Sequence, residues 1–352
     1  MHYMFEYSGA IHVHSNYSDG TGTVKEIMKS AEEAELDYLI LTDHNTLRAK
    51  REGFEGLYNN TFLMVGYEIN DKENKNHCLV FGTNDTLPTR TTAAEYLKII
   101  KSQQGVTFIA HPVEKRSYSK EYPPYPWTEW NTDLFDGIEI WNHMSEWMEQ
   151  MNEQNRYDLF LHPLKSIKAP NHETLEIWDE INLRRKAPAL GGVDAHAHKL
   201  NVLGFFEVEV FPYKVLFKSI RTHILLSHTF QNIYSEHGAE GVSAEIRTAL
   251  KEGRSFVSNF SVADAKGFKF VLKNDGKEYL TGENIPHFDN AVIYVRIPVK
   301  GAELRLIKNG VSAGEYSGEE IRIGISEPGI YRAEVYLNNR AWIFSNHLRF
   351  GI

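Results

Sequence analysis

Two histidines, His12 and His14, stand one residue apart in GAIHVHSNYSDGTG (residues 9–22), and an acid, Asp19, follows in the turn-forming stretch after them. On a strand, side chains two apart project from the same face, so this pair can grip one metal ion. A lone His-x-His is a weak sign. The later apolar runs strengthen it. YLILTDHN (38–45) ends in Asp43 and His44, and Glu68 closes TFLMVGYEIN (61–70). His77 opens HCLVFG (77–82), and His111 closes VTFIAHP (106–112). Asp194 and His196 repeat the spacing of two at the end of ALGGVDAH (189–196). Nine ligand-type residues, His12, His14, Asp19, His44, Glu68, His77, His111, Asp194 and His196, are too many for one ion and point to two or three. Carboxylates mixed with imidazoles, without thiolate, suit Mn, Zn or Fe. Adjacent cations bridged by a carboxylate and a hydroxide lower the pKa of bound water and clamp displaced oxygens, which is a hydrolytic device.

The elements that must carry these residues alternate. TVKEIMKSAEEAELDY (23–38) has apolar residues at helical spacing and reads as a surface helix. TAAEYLKIIKSQQG (92–105) reads as a second helix with a glycine stop. The intervening apolar runs, with DGIEIWN (136–142), read as buried parallel strands whose C-terminal ends turn polar. Repeated β-α units with chemistry at one end predict an α/β barrel over residues 1–262. From 263 to 352 the pattern changes to alternating strands separated by hairpin-type turns (Asn-Asp-Gly, Lys-Asn-Gly, Asn-Asn), which predicts a small all-β sandwich. Residues 113–135, rich in proline and aromatics, directly follow His111 and sit where a loop shapes a pocket.

The totals narrow the partners. A formal net charge of −9 over 352 residues disfavours nucleic acid. One cysteine, Cys78, permits no internal disulfide and reads as a buried strand residue in a reducing compartment. The N-terminal residues lack a signal-peptide pattern and no apolar run is long enough to span a bilayer, so the expectation is a cytoplasmic protein with a small-molecule substrate. Composition leaves its oligomeric state open.

HVHSNYSDGTGT, LTDHN, GYEIN, NHCLVFG, IAHP and GGVDAHAH together resemble the motif series of the PHP (polymerase and histidinol phosphatase) superfamily, in type, order and rough spacing, over about residues 9–260. The resemblance implies a distorted (β/α)7 barrel with a two- or three-metal centre at the C-terminal ends of its strands. It implies that His12, His14, Glu68 and Asp194 hold one ion, that Glu68 bridges to a second held by His77 and His111, and that Asp19, His44 and His196 hold a third. The features after GIEIWN and the β-domain ending RAWIFSN are similar to the branch that includes the CehA/McbA-type metallohydrolases, whose namesakes are linked to amide or carbamate cleavage.

Further residues are candidates for the chemistry around such a centre. Asp43 is expected to hold an imidazole in place, and His143 to serve as general acid to a leaving group. Lys115 and Arg116, just past IAHP, are expected to bind a substrate phosphate. His198 reads as pocket rim, and His2, His162, His172, His223, His228, His237, His287 and His347 as structural or surface residues. The leading expectation is a phosphoesterase acting on a small anionic phosphorylated metabolite or nucleotide. An amide, carbamate or ester hydrolase is the alternative, and the aromatics Tyr118, Tyr122, Tyr125, Trp127, Trp130 and Trp141 would suit its less polar substrate. A metal-stabilised binding module is a third.

Overall fold

The computed structural model describes residues 4–118, 123–202 and 206–352; Tyr122 and His2 lie outside them. Eight strands ring the candidate ligands: β1 (Phe5–Ile11), β2 (Tyr38–Leu41), β3 (Thr61–Val65), β4 (Tyr67–Ile69), β5 (Cys78–Phe81), β6 (Val106–Ile109), β7 (Gly137–Asn142) and β8 (Ala189–Gly192). β1 pairs parallel with β2, and β2 with β3. The chain passes from β3 through Gly66 into β4. β6 pairs parallel with β7, and β7 with β8. Past the end of β8 the chain returns to β1, with Val193 donating to the Ile11 carbonyl and His14 to the Ala195 carbonyl, each at 2.9 Å. The ring therefore closes.

One strand departs from the expected alternation. β5 runs antiparallel to both β4 and β6. No helix separates it from β4, only a turn around Asp71, whose carboxylate accepts from the backbone of Glu73 and Lys75 at 2.9 Å each. A connection that short permits only an antiparallel return. The (β/α)7 expectation is corrected at this point.

The first helix spans Val24–Glu33, capped by Thr23 and Glu26 in a reciprocal capping box, and buries Val24, Ile27, Met28 and Ala31. It stops short of the expected residue 38 because Glu35 takes a left-handed φ of 54° and Tyr38 is needed in β2. The helix Ala93–Ser102 ends at Gln104, with φ 61°, rather than on Gly105.

Past residue 262 two sheets enclose a second core that includes Phe270, Leu272, Ile293, Val295, Leu304, Val335 and Trp342. One sheet contains Lys269–Asn274, Lys277–Tyr279, Ala291–Arg296 and Glu320–Ile325. The other contains Ala302–Lys308, Val311–Ser317, Gly329–Leu337, Arg340–Ser345 and Leu348–Phe350. The turns behave as their residues dictate. Asp275 and Gly276 take φ of 45° and 79°, Asn309 and Gly310 52° and 83°, and Asn338 and Asn339 52° and 59°. The second sheet is hydrogen-bonded to the barrel region, because Arg340–Ser345 pairs antiparallel with Ser255–Asn259, Val257 facing Phe344. Among the described residues no helix is long and apolar enough to cross a membrane.

A buried ion cluster pins the same interface. Asp179, on the helix His172–Arg184, accepts two 2.8 Å bonds from Arg332 and one of 2.7 Å from His347 Nε2. Burial pushes the Asp179 carboxyl up, and these partners outweigh it and hold it below the usual carboxylate range. Breaking a buried pair on one side strands the other charge. Arg332→Ala should therefore lower stability by about 3 kcal/mol or more, read as a shifted urea midpoint; an unchanged midpoint would show that the pair contributes nothing.

Candidate metal centre

All nine ligand-type residues converge at one end of the ring. They do so partly by a route that strand alternation does not provide. β1 ends at Ile11, and His12 takes a left-handed φ of 66°. The two rings thus aim inward from a bent segment, centroids 5.2 Å apart and tilted by 53°. His111 and Asp194 also sit at positive φ, 29° and 54°. Non-glycine residues there are strained and persist where their surroundings over-determine them. The turn that swings Asp19 back passes so close to His14 that a Cβ on Gly20 would lie 2.2 Å from the His14 carbonyl oxygen. Tyr213 donates its hydroxyl to that same carbonyl at 2.7 Å and lies 3.1 Å from the carbonyl of His196.

Glu68 is the hub. Its Oε2 faces His12 Nε2 at 3.1 Å, His14 Nε2 at 3.3 Å and His44 Nδ1 at 3.4 Å. Its Oε1 faces His77 Nδ1 at 2.7 Å and His111 Nε2 at 3.3 Å. Asp194 Oδ1 stands 3.4 Å from both His12 and His14 and 3.5 Å from His196. Asp19 reaches His196 at 3.3 Å, His44 at 3.6 Å and His14 at 3.8 Å. Four overlapping groups result: His14, Asp19, His44 and His196; His12, His14 and Asp194; His12, Glu68 and His111; and His44, Glu68 and His77.

The donor set fits divalent ions. Neither ring nitrogen of the buried His14 makes a hydrogen bond. Such atoms cost free energy unless something accepts their lone pairs. Ligands held at about 2.1 Å from one ion stand roughly 3.0–3.4 Å apart across an octahedral or tetrahedral edge, and most of the contacts to Glu68 and Asp194 fall in that range. The electrostatics call for cations too. Burial disfavours charge on His14, yet Asp194 and Glu68 push its pKa up to about 10. His111 rises to about 9 against the same opposing burial, through Glu114 and Glu68. Burial raises the Glu68 and Asp194 carboxyls, and the imidazoles around them hold both far below the ordinary range.

The remaining candidates separate. Asp43 does not hold an imidazole: it accepts from Ser15 N at 2.7 Å, Ser15 Oγ at 2.6 Å and Ser18 Oγ at 2.7 Å, and so fixes the loop that delivers Asp19. His143, expected as general acid, is enclosed by the fold. It is fully buried, with Nε2 3.2 Å from the Pro163 carbonyl and its ring against Phe211, and burial lowers its pKa to about 4. Lys115 turns to the surface and pairs with Glu173. Arg116 turns inward. It pairs with buried Glu114, which lies 3.8 Å from His111, and its guanidinium stands 5.6 Å from the Tyr125 ring, itself stacked 5.0 Å from His77. Trp141 packs edge-on against Phe344, Trp127 lies in the core against Phe135, and the Tyr118 hydroxyl accepts from Arg156. His198 stacks on His196 at 5.1 Å.

Two buried carboxylates escaped the sequence reading. Glu114 stands beside Arg116. Glu139 lies inside the apolar run DGIEIWN and accepts from His12 Nδ1 at 2.9 Å; a charged residue in an otherwise apolar buried strand was the available signal. A cavity of about 150 Å³ adjoins the centre, lined by His111, Glu139, Asn142, Ser145, Glu146 and Glu149 among others. A larger one, about 590 Å³, lies away from the ligands, between β1 and the first sandwich sheet.

Residues 10–157 match the family model described as PHP domain. The chain is similar to three solved structures. One is a two-domain protein from Bacteroides vulgatus ATCC 8482 described as containing a predicted PHP-like metal-dependent phosphoesterase, at 14% identity over 98% of this chain and 96% of that one, TM-score 0.44. A second is PsfC from Pseudomonas syringae PB-5123, at 14% identity over 70% and 99%, TM-score 0.40. A third is a putative metal-dependent phosphoesterase from Bifidobacterium adolescentis ATCC 15703, at 16% identity over 59% and 93%, TM-score 0.34. No curated protein matches the chain.

The crowding of imidazoles and carboxylates ties ion binding to folding. Ions that bind only the folded state stabilise it by about 2.7 kcal/mol at a hundredfold excess over Kd. Chelation should lower the melting temperature by several degrees and added Zn or Mn should restore it. An identical melt in both conditions would sink the assignment of these residues as ligands.

Proposed function

We propose that this chain, which carries a PHP domain over residues 10–157, is a metal-dependent hydrolase and specifically a phosphoesterase acting on a small anionic substrate. The observation that supports it most directly is the division of Glu68 between two sets of imidazoles. His12, His14 and Asp194 with Glu68 Oε2 would hold one ion, Glu68 Oε1 with His77 and His111 a second, and Asp19, His44 and His196 a third. Mn, Zn or Fe suits this set. Ions so held would supply Lewis acidity that makes water a nucleophile at neutral pH and offsets negative charge on phosphoryl oxygens.

The chain's own residues shape the rest. Glu68 and Asp194, kept ionised, fix where positive charge collects. Ser15 and Ser18, tied to Asp43, hold the loop that brings Asp19 to the mouth, where Asp19 and His44 are the ligands most open to solvent. Arg116 is held beside the cluster, through Glu114 next to His111 and Tyr125 next to His77, and it suits a phosphate oxygen. This favours phosphoesters over amides or carbamates, because Tyr118 and Trp127 are spent on packing, and the cavity beside the centre, which Trp141 helps to line, also presents Glu139, Glu146 and Glu149 and is not an apolar pocket. A reducing cytoplasm suits the single buried Cys78.

Inorganic phosphate release from a panel of phosphomonoesters and nucleotides, with Mn-loaded protein, tests the reading. Asp194→Ala should retain the fold, lose bound metal and release nothing. Arg116→Ala should raise KM about tenfold or more with a smaller effect on kcat, as expected for a charge-assisted contact worth about 1.5–3 kcal/mol. No release from any member of the panel would overturn phosphoesterase chemistry and direct the search to amides and esters.

A further inference from the structure

We infer that Glu139 is a positioning residue that sets the tautomer of His12 and the backbone of His111, and thereby the metal affinity of the whole centre. The inference rests on the metal-centre reading above and concerns a residue that supplies no ligand atom to any of the four groups.

Glu139 is buried in the middle of β7 and both of its oxygens are used. Oε1 accepts from His12 Nδ1 at 2.9 Å. Oε2 accepts from the His111 backbone N–H at 2.8 Å and from Asn142 Nδ2 at 2.9 Å. The consequence for His12 is chemical. With the proton held on Nδ1 by a carboxylate, the lone pair is on Nε2, and Nε2 is the nitrogen that faces Glu68 and Asp194. A hydrogen-bonded carboxylate behind a ligating imidazole fixes its orientation and raises its basicity. The consequence for His111 is mechanical. Its φ of 29° is sparsely populated, and the bond from its N–H to Glu139 helps hold it there. One carboxylate therefore governs two ligands that reach opposite oxygens of Glu68.

The surroundings are built around this carboxylate. A Cβ on Gly192 would lie 2.1 Å from Glu139 Oε1 and 2.8 Å from His12 Cβ, so the end of β8 is kept bare where Glu139 meets His12. Asn142 shares the arrangement. Its Nδ2 bonds Glu139 while its Oδ1 accepts from Ser145 N and caps the following helix.

Glutamine cannot replace the acid. All three neighbours donate, and an amide offers one acceptor oxygen. Its NH2 must face either His12 Nδ1, which drives the proton to Nε2, or the His111 N–H, which leaves two donors opposed. Glu139→Gln should weaken zinc binding about 10–100-fold, measured by competition with a chromogenic chelator. The melting temperature should fall more for the zinc-loaded protein than for the chelator-treated protein, which a merely structural role would not produce. Gly192→Ala should act in the same direction. Zinc affinity equal to the parent's in Glu139→Gln would overturn the inference while leaving the metal-centre reading intact. A parent that binds no zinc would overturn both. A second measurement needs no variant: 15N NMR of the zinc-loaded parent should show His12 protonated at Nδ1 and ligated through Nε2. Ligation through Nδ1 would equally overturn the proposal.

Discussion

The architecture turns on burying one carboxylate. Glu68 is 1% exposed, at the end of a strand in the middle of the ring, with five imidazole nitrogens within 3.4 Å of its oxygens. A charge in such a place is costly unless its partners are held just as firmly. The partners come from β1, β2, the entry to β5 and the end of β6, and Asp194 from the end of β8. Five stretches of chain far apart in sequence must reach one point. A barrel does this because the ends of all its strands face a common space. The reversed strand β5 serves the same demand. A tight return from β4 places His77 nine residues after Glu68 with the two side chains in contact, which a full crossover helix would not allow.

The cluster of nine residues was legible because its residue types are rare at the ends of apolar runs, and those runs were legible by their length and composition. What was hidden is direction. HCLVFG has the same composition as its parallel neighbours, and nothing in four apolar residues records which way a strand runs. The HVH pair reaches the cluster by a route other than the one its spacing suggested. Same-face alternation pointed to it, whereas the structure uses a left-handed residue at His12. Lys115 and Arg116 are adjacent and chemically alike, yet one faces solvent and the other buried Glu114, a difference set by tertiary contacts. Asp43 shows the limit of adjacency, since standing next to a ligand placed it by the serine loop and not by an imidazole.

The hairpins of the β-rich region were plain because Asn, Asp and Gly carry a backbone preference that needs no context. The ion cluster beneath it was not. Asp179 lies 153 residues before Arg332 and 168 before His347, and an amphipathic helix ordinarily turns its acids to water. Only the docking of that helix on the second sheet makes Asp179 an interior residue.

The pairing of Ser255–Asn259 with Arg340–Ser345 has a consequence for biosynthesis. Translation is vectorial, and about eighty residues separate the two strands, which at roughly 5–20 residues per second amounts to about 4–16 seconds. During that interval Ser255–Asn259 can pair with Ile220–Leu226 on one side, and its other side, with Phe256 and Val257, waits unpaired. An open apolar edge is a template for another chain's strand. Until Arg340–Ser345 is made, that edge has no partner from its own chain on this side, and the last strands of the chain are the ones that close it.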